Sequence, residues 1–372
     1  MKLTIERSTL LKALAHVQSV VERRNTIPIL ANVLLDASDG TLTLTATDMD
    51  LAITEKVAAD VSQSGASTAP AHTFYEIVRK LPDGAQVEVE TDAAAGQLLL
   101  RAGRSRFSLS TLPIEDFPVL SGGDLPVAFS LPADELRSVI DRTKFAISTE
   151  ETRYYLNGIY LHAVEVDGEK FLRAVATDGH RLARVETALP KGAENMPGVI
   201  APRKAITEVR KLIDETTSPI DIALSDTRIR LEFDGVVLTS KLIDGTFPDY
   251  ERVIPTDNDK ILVVDSNVFA AAVDRVSTIS SEKSRSIKLA VNPGSLTLSA
   301  TSAENGSATE ELEVGYTDAE LEIGFNSRYL LDITSQIEGD EAQFILADPA
   351  SPTIVRDTGD DRALYVLMPM RV

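Results

Sequence analysis

Apolar positions along this chain follow two periods that alternate. Leu10, Leu14, Val17 and Val21 recur at helical spacing, behind a short alternating strand at 3–5 and with Ser8 as the expected N-cap. Period-two stretches follow at 33–35, 41–46 and 52–57, the first two joined by a hairpin turn at Asp39-Gly40. The plan then restarts. Pro70 precedes a short helix over 73–81 that Pro82-Asp83-Gly84 stops, and strands are predicted at 86–90, 97–101 and 106–112. The same order of strand, short helix and strands begins again near 129, 199, 261 and 321. Its helices are predicted over 133–144, 203–213, 266–279 and 327–337.

These half-copies group into longer repeats. Ala46-Thr47-Asp48-Met49-Asp50-Leu51-Ala52 has a fuller counterpart in Ala176-Thr177-Asp178-Gly179-His180-Arg181-Leu182-Ala183 and a fainter one in Ala300-Thr301-Ser302-Ala303-Glu304. Thr47 and Thr177 are 130 residues apart, and so are Phe117-Pro118 and Phe247-Pro248, whereas Thr301 follows Thr177 by 124. Two unrelated landmarks at one spacing indicate a repeat of domain size. The expected fold is therefore α+β, with three similar domains over 1–121, 128–254 and 255–372. Each has two short helices packed on antiparallel sheets, and turn-rich linkers lie at 121–124 and 255–259.

Charge changes this picture more than composition does. The net charge is −20, which taken alone argues against a nucleic-acid partner. The charge is not evenly spread. The helical windows 7–24, 72–80, 133–144, 203–213, 266–285 and 327–338 hold 17 of the 37 Lys and Arg but only 10 of the 57 Asp and Glu, so they carry +7 and the remainder −27. Helices gathered on one side would form a positive track on a negative body; the plainer alternative is a set of local i,i+4 ion pairs.

Motifs for catalysis are scarce. The chain has no Cys, and His16, His72, His162 and His180 have no metal-ligand spacing, so neither metal nor cofactor is expected. Asp48-Met49-Asp50 reads as a cation contact or as a solvated loop. Asp178 and His180 read as an acid–base pair, which would make a hydrolase, or as a turn in which Asp178 caps and Gly179 supplies positive φ. A peptide-binding repeat scaffold is a further alternative. No leader or membrane span is visible, so a cytoplasmic protein is expected. The apolar end, Tyr365-Val366-Leu367-Met368-Pro369-Met370-Arg371-Val372, completes a last strand and then runs past Pro369 as adaptable surface.

Arg153-Tyr154-Tyr155-Leu156-Asn157-Gly158, Thr177 to Ala183, Pro202-Arg203-Lys204, Phe247-Pro248-Asp249-Tyr250 and Met368-Pro369-Met370-Arg371 occur in one order within the threefold repeat. With these residues the chain resembles, over its whole length, the bacterial sliding clamps, the β subunits of the DNA polymerase III holoenzyme. The resemblance implies a non-catalytic processivity factor: half of a head-to-tail homodimeric ring with helices inside, closed around duplex DNA without reading sequence. It implies DNA contacts at Arg24, Tyr154, Tyr155 and Lys204. One family member carries Gln where Glu150 stands and a basic residue near where His72 stands, so no contact is carried over to those two. It also implies a pocket for short peptides of the replicative polymerase, the clamp loader and repair polymerases. One wall would be Leu156, Thr177, Gly179, His180, Arg181, Leu182, Pro248, Arg252 and Val253. The other would be Val366, Leu367, Met368, Pro369 and Met370, with Arg371 at the rim. At the ring joint, Phe107 and Leu109 would pack against Ile279, with Arg104 and Arg106 facing Glu304, Glu310 or Glu311.

Overall fold

In the computed structural model, which describes residues 1–24, 26–120, 123–281 and 285–371, the alternation of periods becomes α-helices laid on antiparallel sheets. Among the described residues there are six: α1 (Arg7–Gln18), α2 (Ala71–Lys80), α3 (Ala133–Lys144), α4 (Arg203–Leu212), α5 (Ser266–Ser277) and α6 (Ser327–Thr334). The N-cap of α1 is Glu6, not Ser8. The Glu6 carboxylate accepts the N–H groups of Ser8 and Thr9, and a carboxylate binds the positive helix end better than a hydroxyl. Leu10, Leu14 and Val17 are fully buried on the inner face of α1, each worth roughly 1.5–3 kcal/mol of transfer free energy. The linker expected at 121–124 lies partly outside the described residues.

The chain divides into two compact units that do not follow the three sequence copies. The first comprises Met1–Leu136, Pro190–Pro197 and Lys204–Leu242. Its five-stranded sheet runs, in spatial order, Asp60–Gln63, Lys2–Glu6, Gln86–Asp92, Gln97–Ala102, Ser105–Ser110. Its eight-stranded sheet runs Val127–Leu131, Ile220–Leu224, Arg228–Phe233, Val236–Lys241, Leu51–Ala58, Thr41–Thr47, Asn32–Ser38, Gly65–Pro70. Half of the larger sheet comes from copy one and half from copy two. The seam is the antiparallel pairing of Leu51–Ala58 with Val236–Lys241, in register Leu51 to Ser240 and Glu55 to Val236.

The second unit comprises Arg137–Leu189, Gly198–Arg203 and Ile243–Val372. Its eight-stranded sheet runs Val199–Pro202, Gly158–Val166, Glu169–Thr177, Arg181–Ala188, Ala363–Leu367, Thr353–Asp357, Glu341–Leu346, Lys260–Asp265. Here the seam joins copies two and three, with Arg181 opposite Leu367 and Leu182 opposite Val366. A four-stranded sheet of Gly306–Glu313, Ser295–Ser302, Ser286–Asn292 and Leu321–Asn326 completes the unit, with α5 and α6 packed together. Such edge-to-edge seams satisfy main-chain donors that a free strand would leave open. One glycine is demanded by this packing: a Cβ on Gly158 would lie 2.2 Å from the Ala201 carbonyl oxygen.

Candidate functional site

The repeated Thr-Asp motif builds a turn, not a catalytic pair. In copy two, Asp178 Oδ1 accepts the N–H groups of His180 (2.9 Å) and Arg181 (3.1 Å), while Thr177 Oγ1 accepts from Gly179 N–H and donates to the Arg181 carbonyl. Gly179 has φ +87°. Copy one repeats each bond: Asp48 Oδ1 takes Asp50 and Leu51 N–H, and Thr47 Oγ1 bonds Met49 N–H and the Leu51 carbonyl. The His180 ring stacks on Tyr329, with centroids 6.4 Å apart. Asp178 is spent on the turn and on Arg181 Nε, which removes the acid–base reading.

The copy-two turn stands at the mouth of a cleft of about 300 Å³ inside the second unit. Leu156, Thr177, Gly179, Arg181, Leu182, Pro248, Val253, Val366 and Met368 line it, and all nine are in the set that the resemblance implies. Arg153, Tyr155, Asp249 and Tyr250 line it too and were not in the expected set; Tyr155 had been expected at DNA. Period two explains the tail. Val366 and Met368 face the cleft, whereas Leu367 between them points to the opposite face and is fully buried. Pro369, Met370 and Arg371 lie outside the lining, because Met370 N–H donates to the Gly324 carbonyl (2.7 Å) and draws the chain to the four-stranded sheet. His180 is also outside, held by its stack on Tyr329. Arg252 is an exposed residue of the Tyr250–Val253 turn, paired with Asp249 at 2.6 Å.

Beneath the cleft is an apolar cluster of Leu156, Val175, Leu182, Ile200, Phe247, Tyr250, Ile354, Leu364 and Val366. A polar network fixes its Tyr250 floor. Arg173 donates to Tyr250 Oη (2.8 Å), Glu186 and Glu251, and His162 Nε2 lies 3.0 Å from the same Oη. Burial, reinforced by the nearby Arg173 charge, holds the His162 pKa down at about 4. The ring is therefore neutral near pH 7. The cleft thus joins apolar walls to a few oriented polar groups, the combination that anchors a short apolar peptide.

The cationic residues sort differently from the expectation. Several helical charges form the local pairs of the plainer alternative: Arg79 and Lys80 with Glu76, Lys144 with Asp141, Lys211 with Glu208, Arg210 with Asp214. Lys204 is engaged as well, its Nζ donating to Asp48 Oδ2 (2.5 Å), Glu22 Oε1 (3.1 Å) and the Val20 carbonyl (3.4 Å). Burial alone would lower its pKa; the bonds to Asp48 and Glu22 outweigh that and raise it. A phosphate would have to compete with two carboxylates there. Arg24 is exposed and forms no ion pair among the described residues. Tyr154 is exposed and meets Tyr155 edge to face at 5.8 Å. Glu150 is held by Arg153 at 2.7 Å, and His72 by Gln18 and the Val21 carbonyl.

Of the residues expected at a joint, Arg106, Phe107, Leu109, Glu310 and Glu311 lie on outer strands, Arg104 and Glu304 in turns, and Ile279 just beyond α5. Ser105–Ser110 is the last strand of the five-stranded sheet and Gly306–Glu313 an outer strand of the four-stranded one. Arg104 and Arg106 are exposed, and Phe107 and Ile279 are half-buried. Leu109 is already buried in its own unit, and Glu310 is taken by Arg275 through two bonds. Among the described residues no helix is long and apolar enough to cross a membrane.

Comparison with known proteins gives matches over the whole chain. The families described as DNA polymerase III beta subunit, N-terminal domain, central domain and C-terminal domain match residues 1–121, 130–249 and 251–371. The chain is similar to the beta sliding clamp of Caulobacter vibrioides (strain NA1000 / CB15N), 57% identical over 372 residues and covering 100% of both chains. It is 40% identical over 375 residues to the beta sliding clamp of Escherichia coli (strain K12), again with 100% of each covered. Among solved structures, a sliding clamp from Bartonella birtlesii bound to griselimycin is similar with a TM-score of 0.97 and 50% identity, covering 100% of both chains.

Proposed function

Because this chain belongs to the DNA polymerase III beta subunit family, we propose that it acts as the sliding clamp of its cell's replicative polymerase. Two copies close head to tail around duplex DNA, bind it without sequence preference and tether polymerases for processive synthesis. No catalytic step is involved. The observation that carries the partner-binding part is the apolar cleft of about 300 Å³ between the Thr177–Leu182 turn, the Tyr250–Val253 turn and the last strand. It suits the apolar anchors of short peptides from the replicative polymerase, the clamp loader and repair polymerases. The protein works in the cytoplasm, where the chromosome is copied.

Arg24 and Tyr154 are the side chains we assign to DNA, whereas Tyr155 lines the cleft. A guanidinium attracts phosphates and a tyrosine can lie against sugar and backbone, neither of which reads base order. Lys204 acts first as a pin between copies one and two. The free edges at Ser105–Ser110 and Gly306–Glu313 suit pairing between chains, by the same antiparallel seam that is used inside each unit. Phe107, Arg104, Arg106 and Ile279 belong to that joint, and Leu109 supports it from below.

The test is retention on DNA. The protein is loaded on nicked circular DNA with clamp loader and ATP, freed of unbound protein, and the circle is then cut once. Retention on the circle with release from the linear form is expected. Equal retention on both would mean that affinity holds the protein, and the ring would be the wrong reading.

A further inference from the structure

The sheet face that floors the cleft continues past it into a row of cations. On the strand Arg181–Ala188, Leu182 lines the cleft and Arg184 follows it on the same face. Arg184 stands directly opposite Leu364 of Ala363–Leu367, a member of the apolar cluster beneath the cleft. On the next strand, Thr353–Asp357, Ile354 belongs to that cluster and Arg356 comes two residues later, again on the same face. Two strand spacings, about 10 Å, separate the backbones of Arg184 and Arg356, with Leu364 between them as an apolar floor. Both arginines are half-buried.

The carboxylates nearby are already committed. Glu186 lies 2.6 Å from Arg173 but 3.7 Å from Arg184 Nε, and Glu251 lies 2.7 Å from Arg173. Among the described residues the Arg356 side chain has neither ion pair nor hydrogen bond, and the Nε atoms of Arg184 and Arg356 are buried without a hydrogen-bond partner. Three guanidiniums therefore share two carboxylates. Burial lowers the Arg184 pKa; Glu186 opposes this, and the Arg173 and Arg356 charges add to the lowering. A surplus cation with buried, unmet donors is costly in a folded chain, and it is out of keeping with a net charge of −20. An anion seated between the two arginines would remove that cost.

We infer that Arg184 and Arg356 form a clip for a carboxylate beside the cleft, and that its occupant is an acidic side chain of the docked peptide. This rests on the peptide reading of the cleft above. Continuity favours that occupant. The clip lies one step of two residues, about 7 Å, from Leu182 and Val366 of the cleft lining, so a peptide held there by its apolar anchors brings a neighbouring side chain within reach. Guanidiniums grip a carboxylate through paired N–H donors, which gives direction as well as attraction. The cleft then selects partners by the charge beside their anchors as well as by the anchors.

Fluorescence anisotropy tests this with full-length protein and two peptides that share apolar anchors, flanked on both sides by Asp in one and by Asn in the other. The unaltered protein should bind the Asp peptide at least about fivefold tighter, against the repulsion of its own net charge. Arg184→Gln with Arg356→Gln should abolish that preference and leave the affinity for the Asn peptide unchanged, which also shows that the cleft is intact. Equal affinities for the two peptides, or a preference that survives in the double variant, overturns the inference. The salt dependence of binding to linear duplex should be the same for both proteins. A slope reduced by about 1.8 in the double variant would give the two arginines to phosphates and overturn it as well. If the unaltered protein binds neither peptide, the cleft reading fails and the clip with it.

Discussion

Replacing Lys204 with Met separates a phosphate contact from a structural pin. The Lys204 Nζ lies 2.5 Å from Asp48 and 3.1 Å from Glu22. At about 3 Å and an effective dielectric of about 20, one such pair is worth roughly 5 kcal/mol before any cost is counted. The lysine side chain is 37% exposed, so water returns most of that on removal; the Asp48 side chain is 12% exposed and keeps an uncompensated Oδ2. A net loss of about 1–2 kcal/mol follows. In a unit of this size each kcal/mol moves the midpoint by about 2–4 °C, so Lys204→Met should lower the first unit's melting temperature by about 2–8 °C. The salt dependence of binding to linear duplex gives the other reading. Each phosphate contact adds about 0.9 to the slope of log K against log salt. Lys204→Met should leave that slope unchanged, and Arg24→Ala should reduce it with little effect on melting. If Lys204→Met instead reduced the slope by about 0.9 and melted normally, the pin argument would be wrong.

Val253 is 49% exposed on the cleft wall, and Val253→Asp should weaken binding of an apolar clamp-binding peptide at least about tenfold by fluorescence anisotropy, without moving the DNA salt slope. His162 has its pKa depressed to about 4 against about 6.5 unfolded, so its contribution is whole above pH 6.5 and is lost as pH falls towards 4. The limit is about 3.4 kcal/mol, and screening at a half-buried ring leaves about 1–2; His162→Gln should flatten this part of the urea-midpoint profile between pH 7 and 5, and an unchanged profile would refute it. Gly158→Ala should destabilise the second unit by about 2–4 kcal/mol in calorimetry, because its Cβ meets a main-chain oxygen at 2.2 Å and neither strand can shift without breaking the register.

The sequence by itself determined the repeat and the alternation of helix and sheet, whereas the lining of the cleft was expected only through the resemblance. The resemblance named Thr177, Gly179, Leu182, Val366 and Met368, and local rules account for where they face: a turn needs its aspartate and glycine, and a strand shows alternate residues to one face. What local spacing could not supply was pairing at a distance. The compact units cut through the middle copy because strand edges join where their main-chain groups find partners, and edge pairing leaves no periodic mark in sequence. The same reason explains Lys204, whose charge looks free on a helix until Asp48, 156 residues away, is folded against it. It explains Tyr250 and Arg153 as well, which join the cleft through contacts with no regular spacing. Periodicity fixes which side of an element a residue faces; only the tertiary structure decides what waits there, because ion pairing and cavity shape depend on distances that the chain sets only once it has folded.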